Sequence, residues 1–138
     1  MRLYDVSGKL TFKNVKAYKI EWDAKSRSII QFKVKQYLKH YWQSHVVYEE
    51  FPVYGTRLKC DIINMTLKIC VEVDGAQHES FNKFFHNNSR AAYLGSIKRD
   101  IAKEKWLDLN SFKLIRIYQN EVDHLSNEFF KSKFDLVL

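Results

Sequence analysis

Four acidic residues sit where strand-forming sequence would bring them together. Asp61 lies in one β-leaning run, Glu72 and Asp74 in the next, and Glu50 in the run before. Strand side chains alternate with a period of two, so Glu72 and Asp74 share a face. With a tight connection of two or four residues, Asp61 falls for example opposite Cys70, and Glu72 is then a diagonal neighbour roughly 7–8 Å away. Three carboxylates would project to one side of the sheet's end, with Glu50 as a fourth.

Such crowding needs a counter-charge. Two unit negative charges ~5 Å apart repel by about 3 kcal/mol at an effective dielectric of ~20. Either one carboxylate keeps its proton or a cation sits among them. Carboxylate oxygens suit Mg²⁺ or Mn²⁺ rather than a soft metal. A divalent ion beside a basic surface points to phosphodiester chemistry, in which the metal polarises a phosphoryl oxygen and helps make a hydroxide nucleophile. The plainer alternative is a set of strand-end acids that are solvated or paired with lysine. Zinc is disfavoured, because the spacings of ten, eight and eight through Cys60, Cys70, His78 and His86 match no ordinary zinc ligand pairs.

The elements that must hold these acids follow from periodicity. Apolar runs at 46–53, 57–63 and 67–73 read as three strands, the third almost wholly apolar (Leu67 to Val73) and suited to the centre of a sheet. A polar segment with Asn82, Asn87, Asn88 and Ser89 follows, then a helix over roughly 96–109, a strand over 113–118 and an amphipathic helix over about 122–134. Upstream, 10–12 and 17–22 read as short strands with Asn14 at their turn. Asp23 or Ser26 would then cap a helix running to about Trp42, with Ile29, Ile30, Phe32, Val34, Tyr37, Leu38 and Tyr41 recurring at near-helical spacing. Strands, helix, strand, helix describe an α/β core with a mixed sheet.

The chain has 138 residues and a net charge of +7, and the whole excess lies in residues 1–48, with ten basic and three acidic side chains. Tyr4, Phe12, Tyr18, Trp22, Phe32, Tyr37, Tyr41 and Trp42 are interleaved there. Lysines that release counterions and aromatics that stack on bases suit a nucleic acid, while a solvated basic face is the other reading. Composition, 46% hydrophobic with 4 Gly and 1 Pro, indicates one compact domain rather than a disordered or collagenous chain. No apolar run approaches the ~20 residues that span a bilayer, and the start lacks a signal-peptide core, so an intracellular, cytoplasmic protein is expected. Two cysteines in such a chain read as small core residues rather than a disulfide framework. Trp106 and Leu107 also read as core. There is no glycine-rich phosphate loop, dinucleotide fingerprint or G-x-S-x-G elbow.

Cys60-Asp61 followed by Glu72-Val73-Asp74 resembles the PD-(D/E)xK nuclease motif, in which an aspartate and a glutamate on adjacent strands hold the metal. The longer match adds Glu50-Phe51-Pro52-Val53-Tyr54-Gly55, Val71 through His78, Arg99-Asp100-Ile101-Ala102-Lys103 with Leu107, and Leu114 through Val122. Together these resemble the nuclease domains related to very-short-patch mismatch-repair endonucleases and some phage homing endonucleases, over about residues 46–125. The resemblance implies a restriction-endonuclease-like core at 46–138, with a mixed central sheet flanked by helices. Residues 1–45 would form a basic β-hairpin and helix extension within the same compact unit.

It also implies roles. Asp61 and Glu72 would be the metal ligands, with the Val73 carbonyl a third, and the metal Mg²⁺ or Mn²⁺. Glu50 would be an acid near the metal, with Glu49 the fallback if the register slips by one. His78 would serve as general acid or base, its unperturbed pKa lying near neutrality. Asp100 and Lys103, three apart on one helical face, would orient His78 or contact phosphate, and Arg116 would be structural. The family's usual lysine two residues after the glutamate is Asp74 here. That aspartate could recruit a second metal, activate water differently or mark lost activity, and Lys98, Lys103 or His78 could supply the missing group. Residues 1–45 lie outside the resemblance; from their basic charge Lys13, Lys16, Lys33, Lys35 and Lys39, together with Arg99, would bind double-stranded DNA in a bacterial or phage-infected cell. A homodimer would cut both strands.

Overall fold

The computed structural model describes residues 1–75 and 90–138. A small antiparallel pair, β1 (Arg2–Tyr4) and β2 (Leu10–Phe12), opens the chain and is followed by a 3₁₀ turn at Lys16–Tyr18. Helix α1 (Ile29–Trp42) leads into β3 (Val47–Pro52), β4 (Lys59–Asn64) and β5 (Ile69–Asp74). Then come α2 (Arg90–Leu109), β6 (Lys113–Tyr118), a 3₁₀ segment at Gln119–His124 and α3 (Asn127–Phe134). The main sheet has the order β3-β4-β5-β6, antiparallel except for the parallel β5–β6 pair. This is the mixed α/β arrangement expected, with the apolar β5 inside the sheet.

Three layers result. On one face α1 and α3 bury Val34, Leu38, Trp42 and Phe130 against Val47, Ile62, Val71, Val73, Ile115 and Ile117. On the other, Trp106 and Leu107 of α2 pack with Phe51, Tyr54, Cys60, Ile63 and Cys70, and the first hairpin closes that layer through Leu3. The Trp106 indole N–H donates to the Tyr4 carbonyl at 2.7 Å, which ties the hairpin to α2. Both cysteines are free and buried, and burial pushes the Cys70 thiol well up, as befits inert core residues.

The N-terminal third departs from the pattern read in the sequence. Residues 17–22 do not form a strand: they contain part of the 3₁₀ turn and a single bridge from Lys19 to Tyr48. The partner of β2 is Arg2–Tyr4, because the Asp5 carboxylate accepts from the backbone N–H groups of Ser7 and Lys9 and Gly8 takes the left-handed φ of 88° that the turn requires. Helix α1 starts later than Asp23 or Ser26 would place it, since Ser28 is the residue whose hydroxyl accepts from the Gln31 N–H. Its inward stripe is Gln31, Val34, Lys35, Leu38 and Trp42, which leaves Ile29 exposed. Through that stripe α1 shares a core with β5 and β6. Replacing Ser28 with alanine removes the N-cap acceptor and should cost about 1 kcal/mol in urea unfolding. An unchanged midpoint would show that tertiary packing alone sets the start of α1.

The last helix is also shorter than its pattern. Residues 119–124 are 3₁₀, where the Glu121 carboxylate accepts from the Tyr118 N–H, and the α-helix starts afresh after Ser126, which accepts from the Phe129 N–H.

Candidate active site

The β4–β5 register decides where the acids meet. Ile63 stands opposite Cys70 and Ile62 opposite Val71, so the connection has four residues, 65–68, and Glu72 comes level with Asp61 rather than diagonal to it. Asp61 is therefore not the partner of Cys70. The longer turn is stabilised locally: the Asn64 carboxamide accepts from the Leu67 N–H, and Lys68 takes a left-handed φ of 58°. On the other side, Glu49 pairs with Ile62 and Phe51 with Cys60, which brings Glu50 level with Asp61 as well. Glu50, Asp61 and Glu72 thus form a row across three neighbouring strands.

At this row the strands lose regular alternation. Val47 faces α1 whereas Phe51, four residues on, faces the α2 layer, and Cys60 and Ile63, three apart, share that layer. Glu50 absorbs the change of phase in β3 with a φ of 51°, a costly conformation for a residue with a side chain. The gap is filled by side chains acting in place of the backbone ladder. The Asp61 N–H donates to Glu72 Oε2 at 2.8 Å, and the Val73 N–H donates to Asp61 Oδ2 at 2.8 Å. The two carboxylates are locked to each other's strands with only 4% and 2% of each residue exposed.

Two cations face the pair. Lys103 of α2 places Nζ 2.6 Å from Glu72 Oε1, and Arg27, just ahead of α1, reaches Asp61 Oδ1 at 3.4 Å and Glu50 Oε1 at 3.7 Å. Burial, reinforced by the Glu72 charge, pushes Asp61 up to about 7, against the pull of the Val73 N–H, Arg27 and Lys103. Burial alone would lower Lys103, but Glu72 outweighs it and holds the ammonium above its usual range. Glu50 Oε2 is buried with no hydrogen-bond partner. Three acids thus face two cations, one of them the largely exposed Arg27, and the centre is short of positive charge.

Lys103 is among the candidates that the sequence offers, whereas Arg27 carries no sequence signal for this site beyond its charge. Arg27 is delivered by a buried network behind β3: Lys35 Nζ donates to the carbonyls of Glu21 and Ala24 and to Glu49 Oε1, while the Ser26 hydroxyl donates to Glu49 Oε2. Glu49 is committed to this network, so Glu50 is the acid at the row. Lys35 is fully buried here and is not a DNA contact, contrary to the reading of its charge. It belongs to the apolar stripe of α1, where its position in the helix outweighs its type. Lys33 is exposed and Lys39 half-buried, and they pair with Asp123 and Asp23. Lys13 sits over the Tyr54 ring, and Lys16 lies in the 3₁₀ turn.

Asp74 does not join the row. It pairs with Arg116, which also reaches Glu104, so Arg116 ties β5 and β6 to α2. Of the groups that could replace the lysine absent at Asp74, Lys103 touches Glu72, Lys98 lines an apolar depression with Val6 and Trp106, and His78 lies outside the described residues. Asp100 and Arg99 line a polar cleft of about 430 Å³ that also includes Arg27, Glu50 and Lys103. The depression beside Lys98, about 570 Å³, has none of the carboxylates in its walls.

Among the described residues no three His, Cys, Asp or Glu side chains form a metal cage. A smaller set remains, the adjacent carboxylates of Asp61 and Glu72, whose oxygens already accept from the Val73 N–H, Arg27, the Asp61 N–H and Lys103. That suits an ion such as Mg²⁺, which keeps several waters and takes one or two carboxylates. Hard oxygen donors and a deficit of positive charge both fit it.

No known protein family matches the chain, and no solved structure matches it. It is similar to an uncharacterized protein, 033L, of Invertebrate iridescent virus 3, with 38% identity over 66 residues. That match covers 48% of this chain and 34% of the viral protein, so the chain spans about a third of the relative's length. Among the described residues no helix is long and apolar enough to cross a membrane.

Proposed function

We propose that the chain is a metal-dependent DNA endonuclease with a restriction-endonuclease-like core, of the homing or mismatch type. The observation that carries this reading is the interlocked pair Asp61 and Glu72, contributed by adjacent strands and buried beneath a basic cleft. Asp61 and Glu72 would hold Mg²⁺ or Mn²⁺, with the Val73 carbonyl as a third donor. A bound divalent cation supplies Lewis-acid polarisation of the phosphodiester and lowers the pKa of attacking water.

The chain's own groups do the rest. Lys103 stands where charge builds on the phosphoryl oxygens and takes the part of the lysine absent at Asp74. Arg27, exposed and only loosely paired, can leave Asp61 to steady the substrate phosphate. Glu50, with one oxygen unpartnered, can accept a proton from water. A second copy would be needed to cut both strands. The viral source of the relative supports a viral or phage setting, with the cytoplasm of a host cell as the place of action.

One observation favours a second reading. Arg27 and Lys103 already pair with the carboxylates, and Asp74 is bound to Arg116, as in a nucleic-acid-binding module that has lost cleavage. Plasmid nicking separates the two. Supercoiled DNA should be nicked with Mg²⁺ or Mn²⁺ and stay intact in EDTA. Failure to cut with either metal, while Asp61→Ala binds DNA as well as wild type, would leave the binding module standing.

A further inference from the structure

The lysine-rich N-terminal third supplies the net charge, yet much of that charge is already used. Lys35 is buried, and Lys33 and Lys39 are held in ion pairs. The cleft above the carboxylate row differs. Arg57, Lys59 and Arg99 line it, all three are exposed, and none forms an ion pair among the described residues. Arg57 comes from the turn before β4, Lys59 is the first residue of β4, two ahead of Asp61, and Arg99 comes from the helix that carries Lys103. Two separate elements thus aim unpaired cations into one polar space whose acidic members are Glu50 and Asp100.

Cations that line one cleft without ion-pair partners repel one another, and an anion bridging them would relieve that repulsion. Guanidinium groups suit phosphate because their forked N–H donors match its oxygens. A lone small anion would leave the lining of a 430 Å³ cleft largely unfilled, whereas successive backbone phosphates on either side of a bond at the carboxylate row would meet both walls.

We propose that Arg57, Lys59 and Arg99 form the phosphate-backbone site for duplex DNA, and that the lysines of α1 do not. This rests on the nuclease reading for its choice of a phosphodiester, but binding can be measured without cleavage. The test uses a fluorescein-labelled 20-base-pair duplex in EDTA, titrated at several salt concentrations with wild type, the triple variant Arg57→Ala/Lys59→Ala/Arg99→Ala and the double variant Lys33→Ala/Lys39→Ala.

The triple variant should lose about three units of the log–log salt slope, at ~0.9 per phosphate contact, and bind at least about tenfold more weakly at low salt. The double variant should keep the wild-type slope. All three side chains are exposed, so the triple variant should melt with wild type, and single Arg99→Glu provides the same readout if it does not. A slope lost in the double variant and kept in the triple would overturn the proposal even if wild type cuts plasmid. Wild type that binds but never cuts would remove the nuclease reading and leave the slopes to support this site. Absence of any duplex binding would overturn it, and binding of an RNA duplex alone would overturn its DNA half.

Discussion

Asp61→Asn should melt higher than wild type in EDTA at pH 8 and should lose nearly all DNA cleavage. The carboxylate is almost fully buried, its neighbour on the next strand is Glu72, and its pKa is raised to about 7. A pKa raised from 3.8 means that the folded chain binds the proton more tightly than the unfolded one. Stability from that proton is fully present below about pH 4 and is lost as pH rises through about 7. Above pH 7 the ionised side chain costs the fold on the order of 4 kcal/mol at most, from ~1.4 kcal/mol per pKa unit. Asparagine is neutral at every pH and its carbonyl oxygen can still accept from the Val73 N–H, so most of that penalty disappears. Arg27, 63% exposed, returns to water at little cost.

Two measurements follow from this sign. Wild type should gain thermal stability as the pH is lowered from 8 to 5, and Asp61→Asn should lack that slope. Mg²⁺ should raise the wild-type melting temperature and leave the variant unmoved. Removing a metal ligand worth about 4 kcal/mol of transition-state stabilisation would slow cleavage roughly a thousandfold. A variant that melts well below wild type at pH 8 would show instead that Asp61 is kept for its hydrogen bonds.

The layers of this protein were readable because its strands and main helices carry strong periods. The apolar run ending at Val73 and the paired runs before it could only be a sheet, and Trp106 and Leu107 mark the buried face of the helix behind it. The acids were visible for the same reason: a period of two places Glu72 on a definite face whatever its partner. What periodicity cannot give is register. Cross-strand contact between Asp61 and Glu72 depends on a four-residue turn stabilised by Asn64, and a two-residue turn would have left them diagonal. The change of face at Glu50 is set by a single left-handed residue, within an unbroken register and with no glycine to announce it.

Charge misled where geometry overrode type. Lys35 looks like one more surface cation, yet it lies on the stripe of α1 that faces the core and is held by Glu49 and two carbonyls. The useful cations are scattered in sequence, Arg27 before α1 and Lys103 some 40 residues beyond Asp61. Only the fold brings them to the same carboxylates. The first hairpin has a local cause too, since Asp5, Ser7 and Gly8 together form the turn that pairs Leu10–Phe12 with the residues before it.

Lys103→Met should be the most damaging single change outside the hydrophobic layers. It keeps the apolar stem that packs beside the sheet and removes only the ammonium, which leaves Glu72 2% exposed with no cation in contact. Breaking one side of a buried pair costs about 3–5 kcal/mol, because the remaining charge has neither water nor partner. Lys103 also lowers Asp61, so its loss drives that carboxyl further up and moves the loss of its proton-linked stability to higher pH. The variant should therefore be far less stable than wild type at pH 8 and recover part of the difference by pH 5, where Asp61 is protonated and repels Glu72 less. Glu72→Gln placed on top of Lys103→Met should restore most of the loss at pH 8 without lowering the pH, since the orphaned charge is then gone. The two changes touch the same contact, so their effects should be strongly non-additive in a double-mutant cycle of urea midpoints. Additivity within about 0.5 kcal/mol would mean that the 2.6 Å pair contributes nothing as a pair, and that the positive charge balancing the row comes from Arg27 alone.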